Sequence, residues 1–153
     1  MSYKSHPDAS KRIQSAKDAI KALLQLDLYP AHKRELLSVC LWKLTEAESF
    51  HKHNLRYQTP AARAAPPQEK QHEHVFERKK MVIALIAEPA RFEEILSDAV
   101  GCTITKEEHK RLTELSRVRP ELDGWERYQE AGITVLDLVL EESGSMTTCP
   151  EVE

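Results

Sequence analysis

His72, Glu73 and His74 stand in a row within QHEHVFERKK, residues 71–80. Imidazole changes charge near neutral pH, and imidazole and carboxylate together hold divalent ions. The spacing matters as much as the types. In a strand, His72 and His74 point to one face and Glu73 to the other. Two imidazoles at i and i+2 can chelate one ion, with a third ligand drawn from His109 or from His51 and His53 in the preceding segment. Imidazole suits zinc, copper, nickel or iron, whereas carboxylate help suits magnesium or manganese. The plain alternative is a strand whose histidines and lysines face water.

Glu73-His74-Val75, an acid followed by histidine and an apolar residue, resembles the opening of the HNH (His-Me finger) nuclease motif. The resemblance spans Glu73–Leu112. It implies a single divalent ion (magnesium, manganese or zinc) held by Glu73 and by His109 on a later helix; His72 enters as a ligand only through its strand spacing from His74. It also implies His74 as the general base that activates water against a phosphodiester. An active hydrolase and an inactive relative share that frame. Glu77 stands where the family has proline three residues after the base, and the spacer before His109 reads as two helices.

The surroundings fit a polyanion. Residues 51–80 hold seven Lys/Arg against three Glu, a local charge of +4 in a chain whose formal net charge is −3. Lys52, Arg56, Arg78, Lys79 and Lys80 are the expected phosphate contacts, and Tyr57 is the expected stacking ring. The opposing expectation is a surface segment that Leu55 and Tyr57 pin to the core. No glycine-rich phosphate loop is present, which argues against nucleoside-triphosphate chemistry.

The elements that must position these residues follow from periodicity. The chain has 153 residues, 41% hydrophobic and 31% charged, the profile of one globular domain. Only four glycines favours helices over a turn-rich sheet fold. Ile13, Ala16, Ile20, Leu23 and Leu24 mark an amphipathic helix, with Asp8 or Ser10 as its cap. Tyr29-Pro30 ends it, and Pro30 opens a second helix carrying Leu37, Cys40, Leu41, Leu44 and Ala47. The two form an N-terminal helical hairpin. Residues 50–71 read as a long basic loop with a short helical piece near Ala61–Ala65. HEHVF reads as a strand, Met81–Ile86 as a central helix, and GCTIT as a second strand. Thr105 and Glu108 form a capping box for the next helix, Asp123 and Glu126 another, and Gly132 suits a left-handed helix end. Ile133–Leu140 reads as the strongest strand. Trp125 and Tyr128, one turn apart, read as core, and Arg127 beside them as solvated. Residues 141–153 read as a flexible acidic tail after a single domain at 1–140.

The fold class expected is therefore α+β, helix-dominated, with two or three short strands. Cys40, Cys102 and Cys149 make no CxxC pair, and no stretch approaches a membrane span, so the expectation is a cytoplasmic protein with reduced thiols. Its size and composition suit a small bacterial or phage protein. Two classes of function stay open: a nucleic-acid-associated protein with or without hydrolytic chemistry, and a non-enzymatic interaction or regulatory module that binds a protein partner.

Overall fold

A computed structural model describes residues 3–142. Two helices, α1 (Ala9–Gln25) and α2 (Pro30–Glu46), form the N-terminal hairpin. Ala16 and Ile20 of α1 face Leu37, Leu41 and Leu44 of α2, the 3–4 spacing that puts apolar side chains on one stripe. Pro30 occupies the first turn of α2, where a missing N–H costs nothing. Asp8 sits at the start of α1 without making a side-chain cap. The other end of α1 is satisfied from α2, because Lys33 Nζ donates to the Leu24 and Leu26 carbonyls at 3.1 and 3.0 Å.

The stretch expected to be one long loop is more ordered than its composition implies. It contains β1 (Tyr57–Gln58), α3 (Pro60–Ala64), which Thr59 caps, and a 3-10 turn at Pro67–Glu69. Next come β2 (Lys70–His74), α4 (Arg78–Ala87), α5 (Phe92–Leu96) and β3 (Gly101–Thr105). They are followed by α6 (Lys106–Val118), α7 (Gly124–Glu130), β4 (Leu136–Asp137) and α8 (Leu138–Glu142). The strands form one mixed sheet in the order β2-β3-β1-β4, with β3 antiparallel to β2 and parallel to β1. The architecture is a helix-dominated α+β fold with an N-terminal helical hairpin.

Two apolar clusters hold it together. One joins α1, α2, α4 and α5 through Ile20, Leu41, Leu85 and Leu96. The other joins β3 to α6 and α7 through Cys102, Ile104, Leu112 and Tyr128, with Val75 beyond β2. Trp125 and Tyr128 stand edge to face within this second cluster, at 5.5 Å between ring centroids.

Three local expectations change. Ile133–Leu140 is not one strand. Asp137 takes two hydrogen bonds from Arg56, at 2.9 and 2.7 Å, and accepts the Val139 N–H at 3.1 Å, which starts α8 and stops β4. Asp123 makes no capping box with Glu126; its carboxylate accepts the Glu77 N–H at 2.9 Å and ties α7 to the start of α4. Arg127 is buried, not solvated. The capping box of Thr105 and Glu108 is present as expected, and Gly132 adopts φ +69° after α7. Gly124 is constrained twice over: its φ is +59°, and a Cβ there would lie 2.3 Å from the Phe76 ring. The expected acidic tail lies, from residue 143, outside the described residues, as does Cys149.

Candidate functional site

Strand alternation parts the HEH triplet across the sheet. In the antiparallel ladder, His72 pairs with Thr103 and His74 with Gly101, while Glu73 pairs with Cys102. The histidine face lies under α2. Trp42 stacks on His72 at 4.3 Å between ring centroids and meets His74 edge-on at 5.2 Å. Arg78 covers Trp42 from 4.9 Å. Thr45 Oγ1 lies 3.0 Å from His72 Nε2. Gly101 makes room for this layer, since a Cβ there would stand 3.2 Å from His72 Nε2 and 2.8 Å from Leu55 Cδ1.

Both imidazoles are nearly sealed, at 4% and 7% exposure. Burial favours the uncharged ring and pushes their pKa values down, to about 4 for His72 and about 3 for His74. His72 Nδ1 and His74 Nε2 have no hydrogen-bond partner among the described residues. These are neutral rings serving as polar core.

The opposite face carries charge. Glu73 Oε2 lies 2.5 Å from His109 Nδ1 on α6, and Glu73 Oε1 lies 3.3 Å from Arg127 Nη2 on α7. The same Arg127 nitrogen donates to the carbonyls of His74 and Val75 at 2.9 and 3.1 Å, and Nη1 reaches Ser116 Oγ at 3.3 Å. A guanidinium only 3% exposed thus fixes both the carboxylate and the end of β2. The His109 side chain is 43% exposed, and its hydrogen bond to Glu73 raises its pKa. A carboxylate that holds Nδ1 orients the ring, as in catalytic His–acid pairs.

The expected metal set is therefore divided. Glu73 and His109 meet on one face, while His72 and His74 lie on the other, so the four do not converge on one ion. Among the described residues no three of His, Cys, Asp or Glu gather as a metal-binding group. His74, the expected base, is on the sealed face.

The expected phosphate contacts are also divided. Arg56 is committed to Asp137 through two hydrogen bonds, and Tyr57 packs edge-on against Trp125 at 5.2 Å. Arg78 rests on Trp42, and Lys80 donates to the Pro120 and Leu122 carbonyls at 2.7 and 3.1 Å and pairs with Glu77 at 2.6 Å. Lys52 and Lys79 are exposed, but at different places: Lys79 on α4 beyond one end of β2, Lys52 in the segment before β1.

A different basic cluster forms at the start of β2. His53 is held below its ordinary pKa first by burial and then by the positive charges of Lys52, His51, Lys70 and Lys106. Lys70 begins β2, and its ladder partner Thr105 immediately precedes Lys106 at the start of α6. Strand pairing thus brings Lys70 and Lys106, distant in sequence, to one end of the sheet. Among the described residues Lys52, Lys70 and Lys106 make no ion pair.

Sequence reasoning missed Arg127, Trp42, Lys70 and Lys106 as parts of these arrangements. The only advance signal for Arg127 was its place between two core aromatics on a short helix. Lys70 and Lys106 come together through strand pairing, which local spacing does not report. Set beside known protein families, curated proteins and solved structures, the chain matches none of them.

Proposed function

We propose that the protein binds nucleic acid, holding phosphates on Lys52, Lys70 and Lys106. The observation that carries this reading is the pairing of Lys70 with Thr105, which sets Lys70 beside Lys106 at the start of α6, neither lysine having an ion-pair partner among the described residues; with Lys52 they also act to lower the pKa of His53. Clustered positive charge without internal neutralisation attracts a polyanion, and phosphate contacts need no shaped pocket. The chain's net charge of −3 means that the attraction is local. Binding of this kind is weak, sequence-tolerant and sensitive to salt.

The test is anisotropy of labelled 20-nucleotide DNA and RNA, titrated at 50 and 200 mM salt. The expected result is micromolar binding that weakens with salt along a log–log slope of about −2 to −3, the value for roughly three phosphate contacts. Lys52→Ala/Lys70→Ala/Lys106→Ala should lose at least tenfold, whereas Lys79→Ala should change little. Absence of binding by the wild-type protein at 50 mM salt would overturn the reading.

A protein partner is the second reading. Tyr29, Leu36 and Val39 are all exposed, and Leu36 and Val39 lie one turn apart on α2. It takes precedence if the nucleic-acid titrations are flat and the protein self-associates in sedimentation in a manner that Val39→Glu abolishes.

A further inference from the structure

We propose that His109 is a phosphorylation site, whose Nε2 accepts a phosphoryl group from a donor of the phosphoramidate class. Attack by an imidazole needs one ring nitrogen held and the other free, and the Glu73 face of β2 supplies both. Phosphate on His109 is observed or not whatever the lysines bind, so the nucleic-acid reading above stands or falls separately.

Three elements fix the ring. Glu73 on β2 places Oε2 2.5 Å from His109 Nδ1 on α6 and Oε1 3.3 Å from Arg127 Nη2 on α7. The Glu73 and Arg127 side chains are only 12% and 4% exposed, so the carboxylate has a set position before any substrate arrives. A carboxylate at Nδ1 keeps the proton on that nitrogen and leaves the lone pair on Nε2. It also raises the basicity of the free nitrogen. An imidazole held by an acid that a third group orients is the triad arrangement that prepares a nucleophile. Among the described residues no other histidine meets a carboxylate.

The second nitrogen is open. Nε2 makes no hydrogen bond among the described residues, and it is not one of the sealed ring nitrogens, unlike His72 Nδ1 and His74 Nε2. Its surroundings suit a phosphate. Lys106 stands one turn before His109 on α6 and Lys110 directly after it, both exposed and both without an ion pair among the described residues. Helical side chains tilt toward the N-terminus, so the imidazole leans over the turn that carries Lys106. Glu107, two positions back, lies off that face. Glu114 is taken up by Arg117 at 2.7 Å.

The step balances in atoms and electrons. The Nε2 lone pair attacks phosphorus, the P–N bond of the donor breaks, and the donor nitrogen leaves as an amine with the bonding pair. The ring is left with phosphate on Nε2 and its proton still on Nδ1. Its positive charge lies against the Glu73 carboxylate, a charge-assisted hydrogen bond that stabilises the product as well as the nucleophile.

The experiment incubates the full chain with potassium phosphoramidate at pH 8 and reads intact mass, tandem mass spectra and phosphorus NMR in alkali, where a phosphoryl–nitrogen bond survives. One phosphate is expected, on His109 through Nε2, stable to alkali and lost in acid. His32 and His51 are exposed in the same molecule and serve as controls; they should react roughly tenfold more slowly or less. His109→Ala should remove the phosphate with the circular dichroism unchanged. Glu73→Gln should slow the reaction roughly tenfold and mix Nδ1 with Nε2 phosphate, a change of isomer that a merely structural role would not produce. Lys106→Ala should slow it about threefold at an unchanged site, the worth of one exposed charge pair. No phosphate on His109, phosphate on its Nδ1, or equal rates at His109, His32 and His51 overturns the proposal. A rate and isomer ratio in Glu73→Gln equal to wild type overturns the part given to the carboxylate. The wild-type comparison of the three rings decides the site even where that variant is unstable.

Discussion

On one side of β2, His72 and His74 lie sealed beneath Trp42, with two ring nitrogens unpartnered among the described residues. On the other, half-exposed His109 meets a carboxylate that buried Arg127 holds in place. Residues adjacent in sequence thus face opposite electrostatic environments about one strand thickness apart. Burial without a counter-charge keeps an imidazole neutral, and a fixed carboxylate favours its cationic form. The difference teaches that the HEH triplet is two half-sites, separated by strand alternation, and not one centre.

The largest break comes from Arg127. Replacing it with methionine keeps the bulk of the stem but removes the Arg127 donor from Glu73 Oε1 and from the carbonyls of His74 and Val75. Removing one partner of a buried charge pair costs roughly 3–5 kcal/mol, so Arg127→Met should lose that much in urea unfolding. Glu73→Gln in the same chain should recover part of the loss, which would identify uncompensated charge as its cause.

Acid should act on the histidine face next. Folded His72 and His74 have pKa values of about 4 and about 3, below the ordinary 6.5. Between those values and 6.5 the unfolded chain binds more protons, so their contribution to stability is complete above pH 6.5 and is lost as pH falls. At pH 5 the loss is about 2 kcal/mol per ring, read as a falling unfolding midpoint. His74→Leu should flatten that fall. A midpoint unchanged between pH 7.5 and 5 would contradict neutral burial of the pair.

The smallest effect belongs to His109. Its pKa is raised by Glu73, so its contribution is present below the unfolded value and lost as pH rises through the folded one. His109→Ala should cost under about 1 kcal/mol, since the ring is partly in water, and should cost more at pH 6 than at pH 9. Imidazole NMR titrations sharpen the contrast: His109 should titrate above 6.5 while His72 and His74 hold one chemical shift down to pH 5.

The helical hairpin, the α6 capping box and the strands around His72 and Ile104 were legible because each is written in local spacing. Alternation also foretold that His72 and His74 would share a face that Glu73 does not. What could not be read was what covers each face. Trp42 and Arg127 arrive from α2 and α7 by tertiary packing, and nothing near residue 73 announces them. The strand read into Ile133–Leu140 failed for a related reason: Asp137 answers to Arg56, far earlier in the chain, and its hydrogen bond from the Val139 N–H begins a helix. The basic surface shifted likewise, because Arg56, Arg78 and Lys80 are drawn into internal contacts while strand pairing brings Lys70 beside Lys106.

The order of the sheet also dictates a timetable for synthesis. β3 lies between β2 and β1, yet it is made after both, and Tyr57 finds its partner only at Cys102. As the chain leaves the ribosome, α1 and α2 can pair early, because their contacts are local. β1 and β2 must wait with unpaired edges until Gly101–Thr105 emerges. A nascent chain stalled before Gly101 would carry the hairpin but no sheet, with the His72–His74 strand open to pairing with other chains.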